Sequence, residues 1–548
     1  MKTALIVSGG GFQGLGLLEA LQSLPHVRPF VADIHDDNVT RYQCADYVVI
    51  PPVSAEAAFA SAVHQILEEH AVCAVFPATA HELRMLARMR RGIEDRGAQV
   101  AVSPLDLVET LLDKARTASF LRDFELPTQA PVDPVRHDYS APLFGKPRFG
   151  WGGTGTAIAS TAEWAGMHAR MHGADSMVWV PLVAGFDEYS VDFAISPGGH
   201  LSPLVIRRRI RTSGGFAVIS ETVEIEKLTT LGQRVAAAIA QAGGRGIFNV
   251  QLIQPNLGQL FVSDVNPRFG TSAVHGLAEG INLAGFFIED ARAPAGFVRT
   301  SVKTVRRLQT IALPRLSSKP AAIVFDLDDT LVDHKLWMAA KVRGAASAVN
   351  DWVNEREFLL AALQLVDEGE RAHLIDRLVS HFSWTPAQHA IVLEAYRSTA
   401  VPSTPLYPDV APVLSSLHDA GVKLAILTDN PPQTQQTKIN NAEALRGVSS
   451  VIFSRQTGGE KPHAAAFRAV ASNLSLRPEQ LCMVGDNYFR DAIGAIRSGY
   501  GHAFLIQRGG AFSTHHQGIA SLAQVGEERD RIHPIESLVS LREILLAP

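Results

Sequence analysis

Three apolar, strand-like segments in the last 230 or so residues of this 548-residue chain each run into a motif that contains aspartate. The segments span residues 321–325, 422–427 and 481–484. The motifs that follow them are Asp326-Leu327-Asp328-Asp329-Thr330, Thr428-Asp429-Asn430 and Gly485-Asp486-Asn487. Because open α/β sheets place their functional sites at the carboxyl ends of parallel strands, we expect these motifs to meet at one edge of a sheet.

The residue types in these motifs suit phosphoryl transfer. Of two aspartates two residues apart, the first can attack phosphorus, and the second can protonate the leaving group and later activate water. A hydroxyl can bind a phosphate oxygen, a lysine can neutralise charge, and further carboxylates can hold magnesium. The residues predicted for these roles are Asp326, Asp328, Thr428, Lys461, Asp486 and Asp491. For any single motif, an aspartate that caps a helix is the alternative.

The ordered set resembles the haloacid dehalogenase superfamily of phosphohydrolases over about residues 321–548. The resemblance implies a Rossmann-like core with an inserted helical cap at about residues 334–404. It implies that Asp326 is the nucleophile and that Asp328 is the acid and base. It also implies that Thr428 and Lys461 bind phosphate and that Asp491 supports the site. The magnesium-binding residues that it implies are Asp326, Asp328 and Asp486.

Polar residues also recur at short intervals in residues 249–268, NVQLIQPNLGQLFVSDVNPR. Two apolar runs flank a turn rich in Pro, Asn and Gly, which predicts a β-hairpin. In such a hairpin Asp264 and Asn266 share a face, and Gln251 can face them. These oxygen donors suit magnesium held jointly with nucleotide phosphates. A surface hairpin with a polar, solvated face is the alternative.

Two lysines precede this hairpin at positions that suit nucleotide phosphates. Lys114 opens a predicted helix that ends near Asp123, and Lys146 ends a predicted strand just before a glycine-rich loop. Backbone amides of such a loop can close over phosphates while Lys146 supplies a point charge. A surface lysine at position 114 and a glycine hairpin without a ligand are the alternatives.

Charged residues also mark the segment between that loop and the hairpin. Glu188 begins an alternating strand, where it can reach a ribose. Residues 207–211 hold four arginines. Either a solvated strand edge or contact with an anionic substrate or γ-phosphate accounts for the arginines.

The first hundred residues predict a small parallel α/β domain. A strand at residues 3–7 leads into three glycines, residues 9–11, and then into a helical pattern, a layout that can bind an anion. Strand-like runs at residues 47–50, 72–76 and 99–103 alternate with helical segments. A tight glycine turn without a ligand is an equal alternative.

Taken together, residues 1–290 resemble the ATP-grasp ligases, in particular the carbamoyl-phosphate synthetase large subunit and biotin carboxylase. The motifs that carry the resemblance are Asp113-Lys114, Lys146 with its glycine loop, Asp187-Glu188-Tyr189, Asn249-Val250-Gln251 and Asp264-Val265-Asn266-Pro267-Arg268. The nucleotide-binding residues that it implies are Lys114, Lys146, Gly152, Gly153, Thr154 and Glu188. The magnesium ligands that it implies are Gln251, Asp264 and Asn266, and Arg268 is implied as the contact for an acyl-phosphate.

Two positions depart from that family's pattern. The family usually has glutamate where Asp264 stands, so one metal ligand is shorter by a methylene group. Its hinge often carries a glutamate, whereas residues 177–183 are apolar with Pro181. Adenine recognition at this hinge would therefore rest on backbone groups.

Length and composition set the remaining bounds. The length predicts three or four domains, and the predicted class is α/β and α+β multidomain. The predicted parts of the first half are a pre-ATP-grasp Rossmann-like domain at residues 1–103 and a two-lobed ATP-grasp domain at 104–290. A linker at 291–320 then leads to a haloacid dehalogenase-like domain at 321–548. The net charge of −5 offers no basic surface for nucleic acid, and no apolar run approaches the roughly 20 residues that cross a bilayer. Three widely spaced cysteines fit a reduced, cytoplasmic protein.

The leading hypothesis is a bifunctional enzyme that uses ATP with Mg²⁺ or Mn²⁺. One part joins a small carboxylate to an amine through an acyl-phosphate, and the other removes phosphate from a phosphorylated small molecule of the same pathway. A carboxyphosphate or carbamoyl-phosphate type kinase is a second hypothesis, and a nucleotide sensor that controls the phosphatase is a third. The sequence leaves open the identity of the substrates and the oligomeric state.

Overall fold

The computed structural model describes residues 2–546 except for 151–154, 214–215, 293–299, 308–309, 312, 317, 350, 369, 371–372 and 509–529. The chain forms two compact units, Met1–Thr310 and Ile311–Pro548. Every helix within the described residues is too short or too polar to span a membrane.

A parallel five-stranded sheet opens the first unit, in the order β3-β2-β1-β4-β5. Its strands are β1 (Lys2–Val7), β2 (Val27–Asp33), β3 (Tyr47–Val49), β4 (Val72–Pro77) and β5 (Gln99–Val100), and its helices are α1 (Phe12–Gln22), α2 (Glu56–Glu69) and α3 (Leu83–Glu94). In β1, Ala4 and Ile6 pack into one apolar cluster, and Leu5 and Val7 pack into another. The strand is thus buried on both faces, as expected for a parallel sheet covered by helices.

A six-stranded antiparallel sheet forms the largest layer of the first unit, in the order β13-β12-β9-β10-β11-β14. Its strands are β9 (Phe186–Ile195), β10 (Val205–Ser213), β11 (Phe216–Thr222), β12 (Gly246–Pro255), β13 (Phe261–Asn266) and β14 (Lys303–Val305). Helices α7 (Glu226–Gln241), α8 (His275–Ala278) and α9 (Leu283–Ile288) follow or join these strands. Side chains such as Phe193, Phe248 and Val250 fill an apolar cluster with α7 on one face of the sheet.

A smaller antiparallel sheet lies between these two in sequence, in the order β7-β6-β8. Its strands are β6 (Leu143–Pro147), β7 (Ala157–Ala159) and β8 (Met177–Pro181), with α6 at Ala162–His172. Two helices precede it, α4 (Leu105–Leu112) and α5 (Lys114–Asp123). The side chain of Asp113 caps α5 by accepting from the backbone N–H groups of Ala115 and Arg116, which fixes where Lys114 begins the helix.

The second unit is built on a parallel sheet in the order β17-β16-β15-β18-β19-β20. Its strands are β15 (Ala322–Phe325), β16 (Lys423–Thr428), β17 (Ser450–Phe453), β18 (Leu481–Gly485), β19 (His502–Ile506) and β20 (Ile532–Ile535). The helices of this core are α14 (Val410–Asp419), α15 (Pro432–Asn440), α16 (Ala464–Leu474), α17 (Gly494–Arg497) and α18 (Leu538–Leu546). A π-helical turn at Tyr488–Ile493 directly precedes α17.

A helical insertion separates β15 from the rest of this core. It consists of α10 (His334–Ala345), α11 (Glu355–Asp367), α12 (Leu374–Phe382) and α13 (Pro386–Ser398). The insertion has its own apolar cluster, which includes Met338, Phe358 and Trp384. It coincides with the region predicted as a helical cap.

The predicted α/β and α+β multidomain class is confirmed by this architecture. The predicted strand ends and helices fall within a few residues of the observed ones, because each rests on a local apolar pattern. The boundary at residue 310 lies inside the predicted linker. The finer division of the first unit at residue 103 stays a prediction.

Gly14 in α1 provides a test of the tight turn that follows β1. A Cβ atom at Gly14 would lie 1.9 Å from the backbone oxygen of Gly9, so Gly14→Ala should destabilise the first unit by about 1–3 kcal/mol or more. The measurement is the thermal unfolding midpoint, which we expect to fall. Gly11→Ala is the matched control, since a Cβ there meets only Gln13 Oε1 at 3.5 Å. Equal midpoints for both variants would contradict this packing.

Two candidate active sites

Polar residues of the six-stranded sheet share one face. Every second residue of four strands is polar over this region, and the positions are Glu188, Ser190 and Asp192 in β9, Arg207 and Arg209 in β10, Asn249 and Gln251 in β12, and Asp264 and Asn266 in β13. The ladder sets Gln251 opposite Asp264 and Asn249 opposite Asn266. Because side chains alternate along a strand, the hairpin presents the predicted magnesium ligands together.

This polar face lines a cavity of about 280 Å³. Its lining includes Gln251, Asp264, Asn266 and Arg268. Gln13, which follows the glycine turn after β1, lines the same cavity. The hairpin therefore faces a cavity, which favours a binding role over that of a merely solvated surface.

Lys146 connects the small sheet to the large one. Its Nζ donates to the backbone oxygen and to Oγ of Ser263 in β13, at 2.9 Å each. Lys146 and Asp264 both line a narrow cleft with Thr128 and Val180. Burial lowers the pKa of Lys146, and the nearby carboxylate of Asp264 opposes that shift. The predicted phosphate-binding lysine thus lies beside the predicted metal-binding strand.

Lys114 approaches the same carboxylate from α5. Its Nζ lies 3.8 Å from Asp264 Oδ1 and donates to the backbone oxygen of Gly150 at 2.8 Å. The backbone N–H of Lys114 donates to the oxygen of Arg148 at 3.0 Å. The glycine loop therefore starts beside Lys114. Three residues predicted to bind nucleotide lie outside the described part of the chain, namely Gly152, Gly153 and Thr154.

Arg268 supplies a buried cation close to Asp264. Its side chain is buried, and one of its terminal nitrogens donates to the backbone oxygen of Phe269 at 3.0 Å. Burial lowers the pKa of Arg268 and Asp264 opposes this shift, but a guanidinium stays charged in proteins. Lys114, Lys146 and Arg268 therefore concentrate positive charge around one carboxylate, an arrangement that suits an anionic ligand such as phosphate.

Glu188, predicted to bind a ribose, lies in the larger cavity and forms an ion pair with Arg209. The described residues that line the narrow cleft beside Lys146 do not include Glu188. The ribose role stays a prediction, and the structure assigns Glu188 a protein partner instead. It brings Lys114 and Lys146 together at Asp264. Glu188 lines the larger cavity with Asp264, and its charge acts on Lys146.

A buried ion pair on this face was missed by the sequence analysis. Nε and one terminal nitrogen of Arg207 lie 3.0 Å from Asp192 Oδ2, and Asn249 Nδ2 donates to Asp192 Oδ1 at 2.5 Å. The side chains of Arg207 and Asp192 are 2% and 0% exposed, so loss of either would leave a buried unpaired charge. Arg207 is therefore no solvated edge residue. The alternation of Glu188, Ser190 and Asp192 is the signal that marks this position.

The donor set of the hairpin fits a divalent cation shared with a nucleotide. Gln251, Asp264 and Asn266 offer one carboxylate and two amide groups within one cavity. Asn266 Nδ2 lies 3.4 Å from Asp264 Oδ2, so the donors are close enough to act together. Because this ligand set carries only one charged group, a bound magnesium ion would keep coordination positions for phosphate oxygens. Magnesium prefers this arrangement in nucleotide sites.

The strand-end motifs of the second unit meet at one edge of its sheet. Asp326 follows β15, Thr428 ends β16 and Asp486 follows β18. β15 pairs in parallel with both β16 and β18. Because the three strands are neighbours and run in the same direction, their carboxyl ends place the motifs side by side.

Lys461 lies between two carboxylates at this edge. Its Nζ donates to Asp326 Oδ1 at 2.5 Å and to Asp491 Oδ1 at 2.6 Å. Burial alone would lower the pKa of Lys461, but Asp326 and Asp491 raise it above the ordinary value. Lys461 is therefore a permanent cation at the position where a phosphate would approach Asp326.

Three carboxylates at this edge form a cluster that fits a divalent cation. Asp326, Asp486 and Asp491 each offer an oxygen within 4.8 Å of the others. Burial raises the pKa of Asp326 to about 7 although Lys461 opposes the shift, and burial raises the pKa of Asp486 well above its usual value. Magnesium would stabilise the ionised forms that burial disfavours. The cluster thus joins the predicted ligands Asp326 and Asp486 with Asp491, which was predicted to support them.

The carboxylate of Asp328, also predicted to bind metal, has other partners. Its Oδ1 accepts from Lys438 Nζ at 2.6 Å. Its Oδ2 accepts from Asn430 Nδ2 at 2.7 Å and from Gln435 Nε2 at 2.9 Å. Burial opposes ionisation, but His334 and Lys438 hold the pKa of Asp328 well below its usual value. Metal binding by Asp328 stays a prediction. The hydrogen bonds described for its side chain come from amide groups and from the ammonium group of Lys438.

Gln435 and Lys438 were not singled out from the sequence. They are three residues apart in α15 and thus share a face of that helix. Gln435 Nε2 also donates to Thr428 Oγ1 at 2.6 Å, which orients the hydroxyl predicted to bind phosphate. The sequence does hold a signal for these two residues. They are polar, they are spaced about one helical turn apart, and they follow the strand that ends in Thr428.

Comparisons with known proteins agree with the second unit's motifs. Residues 320–499 match the family model of haloacid dehalogenase-like hydrolases. The glyceraldehyde 3-phosphate phosphatase of Methanopyrus kandleri is 29% identical over 187 residues, covering 32% of this chain and 80% of that protein. The phosphoglycolate phosphatase of Salmonella typhimurium is 28% identical over 184 residues, covering 30% of this chain and 73% of that protein. The family match includes all the strands that carry Asp326, Thr428 and Asp486.

A solved structure also aligns with part of the chain. It is the biotin carboxylase domain of Hydrogenobacter thermophilus 2-oxoglutarate carboxylase, determined with MgADP, ADP and bicarbonate. The alignment has a TM-score of 0.44 at 14% identity and covers 53% of this chain and 70% of that one.

The ion pair between Asp113 and Arg148, next to Lys114, predicts a pH dependence of stability. Arg148 Nε lies 3.0 Å from both carboxylate oxygens of Asp113. Burial opposes ionisation of Asp113, but Arg148 and two backbone N–H groups lower its pKa below the usual value. A lowered pKa stabilises the fold above the unfolded-state pKa, and this contribution is lost as the pH falls through the folded-state pKa.

We therefore expect Asp113→Asn to lower the thermal midpoint at pH 7 and to have a smaller effect as the pH falls below about 4. Asparagine can still cap α5, so the difference reports the ion pair. Asp123→Asn, at the exposed end of the same helix, is the control. If the difference in thermal midpoint between Asp113→Asn and the unmodified protein stays constant from pH 7 to pH 3, the role assigned to Arg148 is wrong.

Proposed function

We propose that this chain, whose residues 320–499 form a haloacid dehalogenase-like hydrolase domain, is a bifunctional enzyme with a phosphatase site and an ATP-dependent ligase site. The observation that carries the proposal is common to both units. In each unit, a lysine reaches a group on another element. Lys461 donates to the carboxylate of Asp326, and Lys146 donates to Ser263, the residue before Asp264. Each site thus pairs fixed cations with oxygen donors, as phosphoryl transfer requires.

In the second unit, Asp326 attacks the phosphorus of a phosphomonoester while the bond to the leaving group breaks. Asp328 relays a proton from the monoanionic phosphoester to the departing oxygen and is left ionised, and Thr428 and Lys461 bind the phosphate oxygens. Asp328 then takes a proton from water, which attacks phosphorus and releases inorganic phosphate and free Asp326. Asp326, Asp486 and Asp491 would hold magnesium, which would supply positive charge to the phosphate when bound.

A small phosphorylated metabolite is the substrate class that we propose for this site. The two phosphatases that the chain resembles are named for glyceraldehyde 3-phosphate and phosphoglycolate. Both are small phosphoesters, and a related substrate fits a core site covered by a helical insertion.

In the first unit, we assign ATP to the region of Lys114, Lys146 and Asp264. The carboxylate substrate attacks the γ-phosphorus, and ADP leaves. An amine then attacks the resulting acyl-phosphate, the C–O bond to phosphate breaks, and an amide and inorganic phosphate are released. Arg268 stabilises the negative charge of the acyl-phosphate, and the cavity of about 280 Å³ next to it accommodates the carboxylate. Gln251, Asp264 and Asn266 would hold magnesium, which would supply positive charge to the nucleotide phosphates when bound.

Removal of the phosphatase nucleophile provides the first test. Asp326→Asn should reduce p-nitrophenyl phosphate hydrolysis to the background rate, because an amide oxygen is a poor nucleophile. ADP formation in the presence of carboxylates and amines should be unchanged. Asp419→Asn, at the exposed end of α14, is the matched control. Loss of both activities in Asp326→Asn would contradict separate sites.

The ligase site has a reciprocal test. Lys146→Met should abolish ATP-dependent ADP formation, measured with a panel of carboxylates and amines or with a metabolite extract and mass spectrometry of the products. Phosphatase activity should remain. Lys227→Met is the control, since Lys227 is an exposed lysine that donates to Gln254 on the same large sheet. Normal ADP formation in Lys146→Met would exclude the proposed nucleotide site, and ADP formed with bicarbonate alone would favour a carboxyphosphate kinase.

A further inference from the structure

The first unit contains another cavity of about 280 Å³, which we call the Arg84 pocket. Its lining includes Arg84 of α3, Lys114 of α5 and Phe149, which precedes the glycine loop. Asp264 and Arg268 also line it, and both residues line the cavity that we assign to the carboxylate substrate. The two cavities therefore adjoin at Asp264 and Arg268.

The charged side chains of the Arg84 pocket do not balance. Its three cations are Arg84, Lys114 and Arg268, and Asp264 is the single carboxylate among its described lining residues. Asp264 Oδ1 lies 3.8 Å from Lys114 Nζ, and the charge of this carboxylate also acts on Lys146 and Arg268. The pocket therefore has an excess of two positive charges, and its one carboxylate is already shared among other cations.

Arg84 is the cation of this pocket that has no partner of opposite charge within the described contacts. It is half-buried, and its guanidinium carbon lies 5.7 Å from the centre of the Phe149 ring. Arg148 lies at the same distance from that ring but also forms an ion pair with Asp113 at 2.8 Å. The ring helps to hold the Arg84 guanidinium, and the planar donors of that group suit a phosphate or a carboxylate.

The nucleotide and the carboxylate that we assign to this unit do not account for Arg84. The narrow cleft beside Lys146 is lined by Lys114 but not by Arg84. The described lining of the carboxylate cavity includes Arg268 but again not Arg84. Arg84 is thus the cation that belongs to the Arg84 pocket alone, and its charge calls for a further anionic group.

We propose that the Arg84 pocket binds a phosphate group carried by the carboxylate substrate, and that Arg84 selects substrates of this class. This inference rests on the proposed ligase function. A phosphate group carries nearly two negative charges at neutral pH and so matches the excess charge of the pocket, whereas a second carboxylate carries one. The amide that forms would keep its phosphate. It would then be a phosphomonoester, the class of compound that we propose for the second unit, so ligation would precede phosphate removal.

The experiment measures ADP formation by the full-length chain with ATP, Mg²⁺ and hydroxylamine as the amine. The acids are 3-phosphonopropionate, succinate and butyrate, which share a carboxylate and a two-carbon spacer and differ at the other end. A phosphonate has a P–C bond, which the proposed phosphatase does not cleave. We expect kcat/KM for 3-phosphonopropionate to exceed that for butyrate by about tenfold or more, on the scale of one hydrogen bond between charged groups. Succinate should lie between them.

Arg84→Gln should remove this preference. We expect KM for 3-phosphonopropionate to rise by about tenfold, while KM for ATP and kcat/KM for butyrate stay unchanged. Arg84→Lys keeps the charge but loses the planar donors, so it should retain part of the preference, and it replaces Arg84→Gln if that variant does not fold. Arg91→Gln is the matched control, since Arg91 is an exposed arginine in the last turn of the same helix and is not among the lining residues described for the three cavities.

Three results would overturn the inference: no preference for the phosphonate in the unmodified chain, a preference that survives in Arg84→Gln, or an equal rise of KM for ATP in that variant. Faster turnover of succinate than of 3-phosphonopropionate would overturn the choice of phosphate.

Failure of the ligase function gives a different result, namely no ADP from any acid. Calorimetric titration of 3-phosphonopropionate into the unmodified chain and into Arg84→Gln then decides, because binding at the phosphatase site is common to both chains. Weaker binding to Arg84→Gln would support the anion site while the ligase function fails. Equal binding to both chains would overturn the anion site as well.

Discussion

A buried ammonium group must be paired with negative charge, and the pairing of Lys461 organises the second unit's site. Removing a lysine from water costs several kcal/mol, so Lys461 is stable only where Asp326 and Asp491 both reach it. The sheet brings the end of β15 to the end of β18, and the π-helical turn after β18 supplies Asp491. Gly485 permits this approach, because a Cβ there would lie 2.3 Å from Asp491 Cγ.

The first unit applies the same rule with the charges reversed. One carboxylate, Asp264, lies among three cations, and each cation comes from a different element: Lys114 from α5, Lys146 from β6 and Arg268 from the segment after β13. An excess of positive charge needs an anion to balance it, whereas the carboxylate cluster of the second unit needs a cation. These opposite requirements distinguish the proposed nucleotide phosphate site from the proposed metal-dependent nucleophile.

Sequence reasoning located strand ends and motif residues well because both depend on local order. The alternation of Asp264 and Asn266 and the aspartates after β15 and β18 lie in short apolar patterns. It gave no role to Asp192, Gln435 or Lys438, whose partners are distant in the chain. The ribose role of Glu188 stays a prediction, and in the structure Glu188 pairs with Arg209. Contacts such as Asp328 with Lys438 depend on how helices pack, which no local pattern records.

The amino-acid sequence by itself determined the fold class, the order of the elements and the residues that carry charge at the strand ends, because backbone propensity and apolar periodicity act over a few residues. Only the tertiary structure decided which charges neutralise one another. Lys461 pairs with Asp326 and Asp491, whereas Lys438 pairs with Asp328, which lies two residues after Asp326. The reason is that electrostatic pairing of buried groups depends on distance and exclusion of water, and both arise only when separate elements pack together.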